Sequence, residues 1–269
     1  MVTQASDAVG FGTTRSFTGF ADRWIWTFMA ALFFVTVLVG FIPTSIIKLE
    51  AVSNGVRPPL PGFMHFHAVV MGLWITLLLA QSTLMATGNR SLHMKLGMAS
   101  VVLIPAVAIG MVGVASANFT QLVTTAPGQI PEEVLSQRRI DLSNLLLAQS
   151  RMVFLFSIIT FWAVLVRKED PETHKRLMFI ATVPPLSAAI DRMGWLRELV
   201  PIEGPFFADV TQLAWLLPLL IYDLWRRGSL HKAYVIGIAV NLPFIVFTHV
   251  ARGTDWWLAM APKILGIEN

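Results

Sequence analysis

Seven runs of predominantly apolar residues divide this chain, at about 24–47, 66–87, 94–116, 144–166, 175–195, 209–225 and 233–251. Each is long enough to cross roughly 30 Å of hydrocarbon as a helix. The runs are continuously apolar rather than alternating, which selects helices over barrel strands, since lipid tolerates no unpaired backbone group. Only 13% of the 269 residues are charged, against roughly a quarter in soluble chains. The expected fold is an all-α, polytopic membrane helix bundle with seven transmembrane helices, a single transmembrane domain over 1–269. The first run is too long for a signal-peptide core and no small-x-small site follows it, so it is expected to stay as a helix.

The net charge of +4 reports topology and calls for no nucleic-acid partner. Arg15, Arg23, Arg90, Lys95, Arg167, Lys168, Lys175, Arg176, Arg226, Arg227 and Lys232 group at alternate helix ends. The other ends mix fewer basic residues with Glu132, Glu133, Asp141, Glu198, Glu203 and Asp255. The positive-inside rule then puts the N-terminal segment 1–23 in the cytoplasm and the C-terminus in the periplasm of a bacterial inner membrane. Residues 48–64 and 117–143, rich in Pro and Gly, are expected as long outer loops covering a site. Trp195, Trp256 and Trp257 outside, with Trp24 and Trp225 inside, fit interfacial aromatic belts. The absence of cysteine rules out a disulfide framework and thiolate chemistry.

A histidine followed by a proline eleven or twelve residues later occurs three times: His93 to Pro105, His174 to Pro185 and His231 to Pro243. This recurrence predicts one leading helix followed by three pseudo-repeated hairpins. The repeated histidines are expected as helix-start residues, because neighbouring Lys and Arg oppose a bound cation. The prolines lie mid-membrane, where neighbouring helices re-satisfy freed carbonyls.

The informative residues are those that break the repeat. Counting about 1.5 Å per residue from the repeat histidines puts Asp191 and His249 near one edge of the hydrocarbon. His65 and His67, Gln149 and Arg151, Arg192, Asp209 and Arg252 fall at a comparable level. Ionisable groups at membrane depth are costly and mark function by default. His65, His67, Asp191 and His249 offer three imidazoles and a carboxylate, suited to zinc or copper. Both histidines of His65-x-His67 serve only if that segment is extended. His67 and His249 are alternatively axial ligands to a haem b. Arg151, Arg192 and Arg252 suit haem propionates or an anionic lipid or quinone head. A purely structural alternative pairs Asp191 with Arg151 and Asp209 with Arg192. Gln81, Asn144 and Asn241 are expected as interhelical hydrogen-bond glue.

Several segments together resemble a family of uncharacterised bacterial integral membrane proteins. They are His65-Phe-His67-Ala68 through Trp74 with Gln81, Leu92-His93-Met-Lys95-Leu96-Gly97, His174-Lys175-Arg176-Leu177-Met178 with Ala189-Ile190-Asp191-Arg192, and Arg252-Gly253-Thr254-Asp255-Trp256. The resemblance implies a multi-helix membrane fold and no particular activity. A looser likeness, of arrangement only, is to membrane b-type cytochromes. Three functions stay open: a metal- or haem-binding redox or metal-handling protein, an enzyme or carrier for a lipid-soluble molecule with an anionic head, and an accessory subunit. The partners expected are the lipid bilayer and other membrane subunits or a homo-oligomer.

Overall fold

In the computed structural model the backbone is described for residues 11–125, 131–202 and 204–266, and side chains for 19–120, 131–202 and 204–266. The described residues form helices α1 (Phe11–Ser53), α2 (Gly62–Ala86), α3 (Arg90–Gly97), α4 (Ser100–Thr125), α5 (Glu132–Val166), α6 (Pro171–Ile190), α7 (Gly194–Leu199), α8 (Pro205–Arg227), α9 (Lys232–Ala251) and α10 (Asp255–Ile264), with no strand among them. Six of these, α1, α2, α4, α5, α8 and α9, contain stretches long and apolar enough to cross a membrane.

Helix α6 is the exception, and it is the centre of the molecule. Glu172, Lys175 and Arg176 dilute its apolarity, yet fourteen of its 20 residues are buried. Helices α1, α2, α4, α5 and α6 pack pairwise in that order, and α6 returns to α1, so the five close a ring. Helices α8 and α9 pack against α6 from outside, and α10 packs against α5. Polar side chains knit the ring across its middle. Trp74 Nε1 on α2 donates to Thr182 Oγ1 on α6 at 3.2 Å, and the Trp74 and Phe156 rings meet edge-on at 4.8 Å. On the other side, Trp215 Nε1 donates to Thr36 Oγ1 at 2.8 Å. Gly40 lets α1 approach α6 closely, because a Cβ there would lie 2.2 Å from the Ala189 carbonyl oxygen.

The tight connections after α2, α5 and α8 meet at one end, here the turn end. Arg23 Nε donates to the Ala86 carbonyl at 2.6 Å, Arg226 pairs with Asp22 at 2.6 Å, and Lys232 pairs with Asp170 at 2.7 Å. Two of the three repeated stretches start alike. Asn89 caps α3 and Asp170 caps α6, each accepting from the amide three residues on. His93 and His174 follow four residues after the cap, their amides bonding to the cap carbonyls. His231 instead is itself the cap of α9, its Nδ1 accepting from Ala233 N at 3.2 Å. Pro105, Pro185 and Pro243 all lie inside helices.

At the opposite, loop end the long outer loops expected at 48–64 and 117–143 are mostly helix. Helix α1 runs to Ser53, α4 to Thr125, and α5 starts at Glu132. Polar residues such as Gln137, Arg138 and Asp141 end the apolar run without ending the helix; Gln137 Nε2 bonds Asp141 Oδ1 one turn away at 3.1 Å. Of the remaining expectations, segment 1–10, loop residues 126–130 and Glu203 lie outside the described residues. Trp257 is not part of a belt: it is 3% exposed and its Nε1 donates to the Ser143 carbonyl at 2.8 Å, locking α10 to α5. Trp195, Trp225 and Trp256 are exposed.

Candidate functional site

Three helices bring an ionisable group each to one point at the loop end. Asp209 sits near the start of α8, His249 near the end of α9, and Arg151 partway along α5. Arg151 Nη2 lies 2.6 Å from Asp209 Oδ1, and His249 Nε2 lies 2.8 Å from Asp209 Oδ2. Arg151 Nε also donates to Asn241 Oδ1 at 3.2 Å. The Phe206 ring covers the imidazole, centroids 4.1 Å apart. Arg151 is only 6% exposed, so its charge has to be balanced within the protein, and Asp209 does so. The Asp209 carboxyl group orients the His249 ring through Nε2, leaving Nδ1 as the nitrogen for other work.

This is a different pairing from the one expected. Asp191 does not meet Arg151 and Asp209 does not meet Arg192. Asp191 Oδ1 instead accepts from Arg197 Nη2 at 2.8 Å, a short loop-back within the α6–α7 connection. Both side chains are largely exposed, so the pair adds little stability. Asn241, as expected, bridges helices, and Asn144 Oδ1 does too by accepting from Gly253 N at 3.0 Å.

The expected metal set is not assembled. Helix α2 begins at Gly62, so the extended segment that would align His65 with His67 is absent, and a helix turns them about 200° apart. His65 is exposed. His67 lies against α4: its Nδ1 is buried and makes no hydrogen bond, and it stands beside Gly110. His249 has Asp209 as its neighbour, on α8. Among the described residues no group of three or more His, Cys, Asp or Glu is placed to hold a metal ion.

Sequence depth alone missed two further charge clusters. At the turn end, Arg176 and Asp223 form a wholly buried pair, 2% and 0% exposed. Asp223 could have been noticed as an acid within the basic stretch Asp223-Leu-Trp-Arg226-Arg227. At the loop end, Arg192 lies over the Phe41 ring, 4.4 Å from its centroid. Lys48 stands two turns further along α1 on the same face. The chain after α1 folds back so that Arg57 N bonds the Ala51 carbonyl at 3.1 Å. Lys48 consequently lies within electrostatic reach of both Arg57 and Arg192, and His67 within reach of Arg192. Among the described residues none of these three cations has an ion-paired carboxylate within contact distance; Arg192 Nη1 donates to the Ala188 carbonyl and lies within electrostatic reach of Asp191, and the Arg57 Nε is buried with no hydrogen-bond partner. The signal was a lysine ending the first apolar run, with Arg57 just beyond it. Arg252, at the end of α9, is exposed.

A groove of about 350 Å³ between α2, α4 and α5 is lined by Phe63, Ala108, Ile109, Val112, Gly113 and Val153. It offers no polar group and so supplies no head-group chemistry.

Comparison with known protein families, with curated proteins and with solved structures finds no match to this chain.

Proposed function

We propose that this is a seven-crossing membrane protein, α6 being the crossing that lipid barely touches. It binds a lipid-soluble small molecule with an anionic head at its loop end, as a carrier or an enzyme. The observation that supports this reading is the buried Arg57 Nε without a hydrogen-bond partner, at the loop end that also carries Lys48 and Arg192, none of the three in an ion pair among the described residues. Like charges held together at a membrane boundary repel, and an anion seated among them relieves that cost. Asp191, next to Arg192 in sequence, is already engaged by Arg197. Arg151, expected as part of the clamp, is balanced by Asp209 and holds helices instead; Arg252 adds charge at the same end. His67, within electrostatic reach of Arg192, is the residue this reading assigns to proton exchange with such a head. The basic turn end faces the cytoplasm of a bacterial inner membrane by the positive-inside rule, which puts the site at the opposite leaflet. The test is mass spectrometry of organic extracts from detergent-purified protein. Wild type is expected to retain an acidic, apolar molecule that Arg192→Gln loses; identical extracts from the two proteins would reject the reading.

One observation favours a second reading. The Asp209 carboxylate on His249 is the kind of hold that orients metal- and haem-bound imidazoles. If His249 serves a haem, the purified protein has a Soret band that shifts on dithionite reduction and that His249→Ala abolishes. A featureless spectrum sinks it.

A further inference from the structure

We infer that a crevice between α8 and α9 binds a neutral, lipid-soluble molecule with a phenolic head, whose hydroxyl donates to His249 Nδ1. This site is separate from Lys48, Arg57 and Arg192 and does not depend on them. Helices α8 and α9 are consecutive and each packs on α6, yet they barely touch one another. The Asp209–His249 bond, 2.8 Å long, joins them at the loop end. Toward the turn end the two stripes that start at this bond stay uncovered. Leu213 and Leu217 follow Asp209 on its face of α8, one and two turns on; Leu242 and Ile238 precede His249 on its face of α9, by two and three turns. Their exposures are 57%, 46%, 53% and 65% in that order. Had the helices packed along these stripes, all four would be buried. The helices therefore part beyond the bond and leave an apolar slot, open to lipid, with a polar end.

The polar end selects the head. Asp209 balances Arg151 at 2.6 Å, and Asn241 takes the Arg151 Nε at 3.2 Å, so no charge is left over for an ionised group. With Asp209 Oδ2 accepting from Nε2, the neutral imidazole carries its proton there, and Nδ1 presents a lone pair. That nitrogen has no hydrogen-bond partner among the described residues, and the side chain keeps 19% of its exposure. An acceptor of this kind takes a hydroxyl and has nothing to offer a ketone or an ether. Phe206 lies against the imidazole with centroids 4.1 Å apart and is itself 60% exposed. A ring bearing the hydroxyl thus meets an aromatic neighbour, which favours a phenol over an aliphatic alcohol.

The test uses full-length protein in phosphatidylcholine nanodiscs, titrated with para-dodecylphenol, its methyl ether para-dodecylanisole, or dodecanoate. Native mass spectrometry reads binding, and NMR follows the histidine ring nitrogens. The phenol is expected to bind about fivefold more tightly than the ether, the effect of one neutral hydrogen bond, and to move the Nδ1 signal of His249. His249→Gln keeps a hydrogen-bonding side chain beside Asp209 and is expected to erase that difference. Leu213→Trp fills the slot and should weaken phenol and ether alike, whereas Ile109→Trp, in the separate groove beside α4, should leave both unchanged. Equal binding of phenol and ether by the wild type would overturn the hydroxyl contact. Dodecanoate binding as tightly as the phenol, and lost in His249→Gln, would overturn the neutral head. A phenol preference that survives His249→Gln, or that ignores Leu213→Trp, would overturn the site. A Soret band abolished by His249→Ala would do the same, because Nδ1 would then belong to haem iron.

Discussion

Asp223 receives the Arg176 guanidinium on both of its carboxylate oxygens, Nε at 2.7 Å from Oδ2 and Nη2 on Oδ1. Neither side chain reaches solvent. The pair joins α6 to α8 at the turn end, and Glu172 takes the remaining Nη1 at 2.7 Å.

Removing one partner strips the other buried charge of its two-point counter-ion, and Glu172 reaches only one end of Arg176. Asp223→Ala or Arg176→Met is expected to cost about 3–5 kcal/mol, whereas the double variant Arg176→Met with Asp223→Leu is close to neutral. Unfolding curves in detergent for the two singles and the double would check this. Additive losses in the double would show that the pair is not the unit.

The loop-end array predicts an order of sensitivities. Asp209→Asn strips the buried Arg151 of its balancing charge and is expected to cost about 3 kcal/mol. His249→Gln keeps a hydrogen-bonding side chain beside Asp209 and should cost about 1 kcal/mol. Equal thermal shifts for the two variants would contradict the role given to Asp209.

The approach of α1 to α6 makes a paired prediction. Gly40→Ala puts a Cβ into the Ala189 backbone and should lower stability by about 1–3 kcal/mol. Gly72→Ala meets nothing within 4 Å and should raise it by about 0.5–1 kcal/mol, as a helical Gly→Ala change does elsewhere.

Acid should weaken the turn end. Burial, then the neighbouring Arg176 and Arg227, hold the His231 imidazole below its usual 6.5, and burial does the same to His93. Both are harder to protonate folded than unfolded. Their contribution is therefore complete above about 6.5 and declines as pH falls below it, until the folded-state pKa values are passed. The neutral ring of His231 accepts the Ala233 amide; the protonated ring cannot. Thermal midpoints should fall between pH 7.5 and 5.5, and less so in His231→Asn, which caps at every pH. A midpoint independent of pH would exclude this account.

Hydropathy made the membrane-crossing helices legible, because lipid allows few alternatives. Their true lengths were not, since an α-helix continues through polar residues such as Gln137 to Asp141 wherever hydrogen bonds and packing hold it. Depth along a helix was legible as well: Arg151, Asp209 and His249 do share a layer. Direction around the bundle was not. A rise per residue says how deep Asp191 sits but not which neighbour it faces, and the order of helices in the ring decides that. Arg57 went unnoticed for a related reason: it comes near Lys48 only because the chain folds back after α1.

The central place of α6 bears on how the chain enters the bilayer. With Glu172, Lys175 and Arg176 in its first two turns, this segment partitions into lipid poorly by itself. Its charged groups find partners on α8 and along its own first turn, while His174 bonds α5 and Thr182 bonds α2, and its remaining surface needs α1 and α5. On the seven-crossing reading, insertion of α6 waits on protein rather than lipid: α5 must already be seated, and Asp223 must follow before the Arg176 charge is balanced. The ring's last helix to arrive is thus the one whose membrane solvent is other helices.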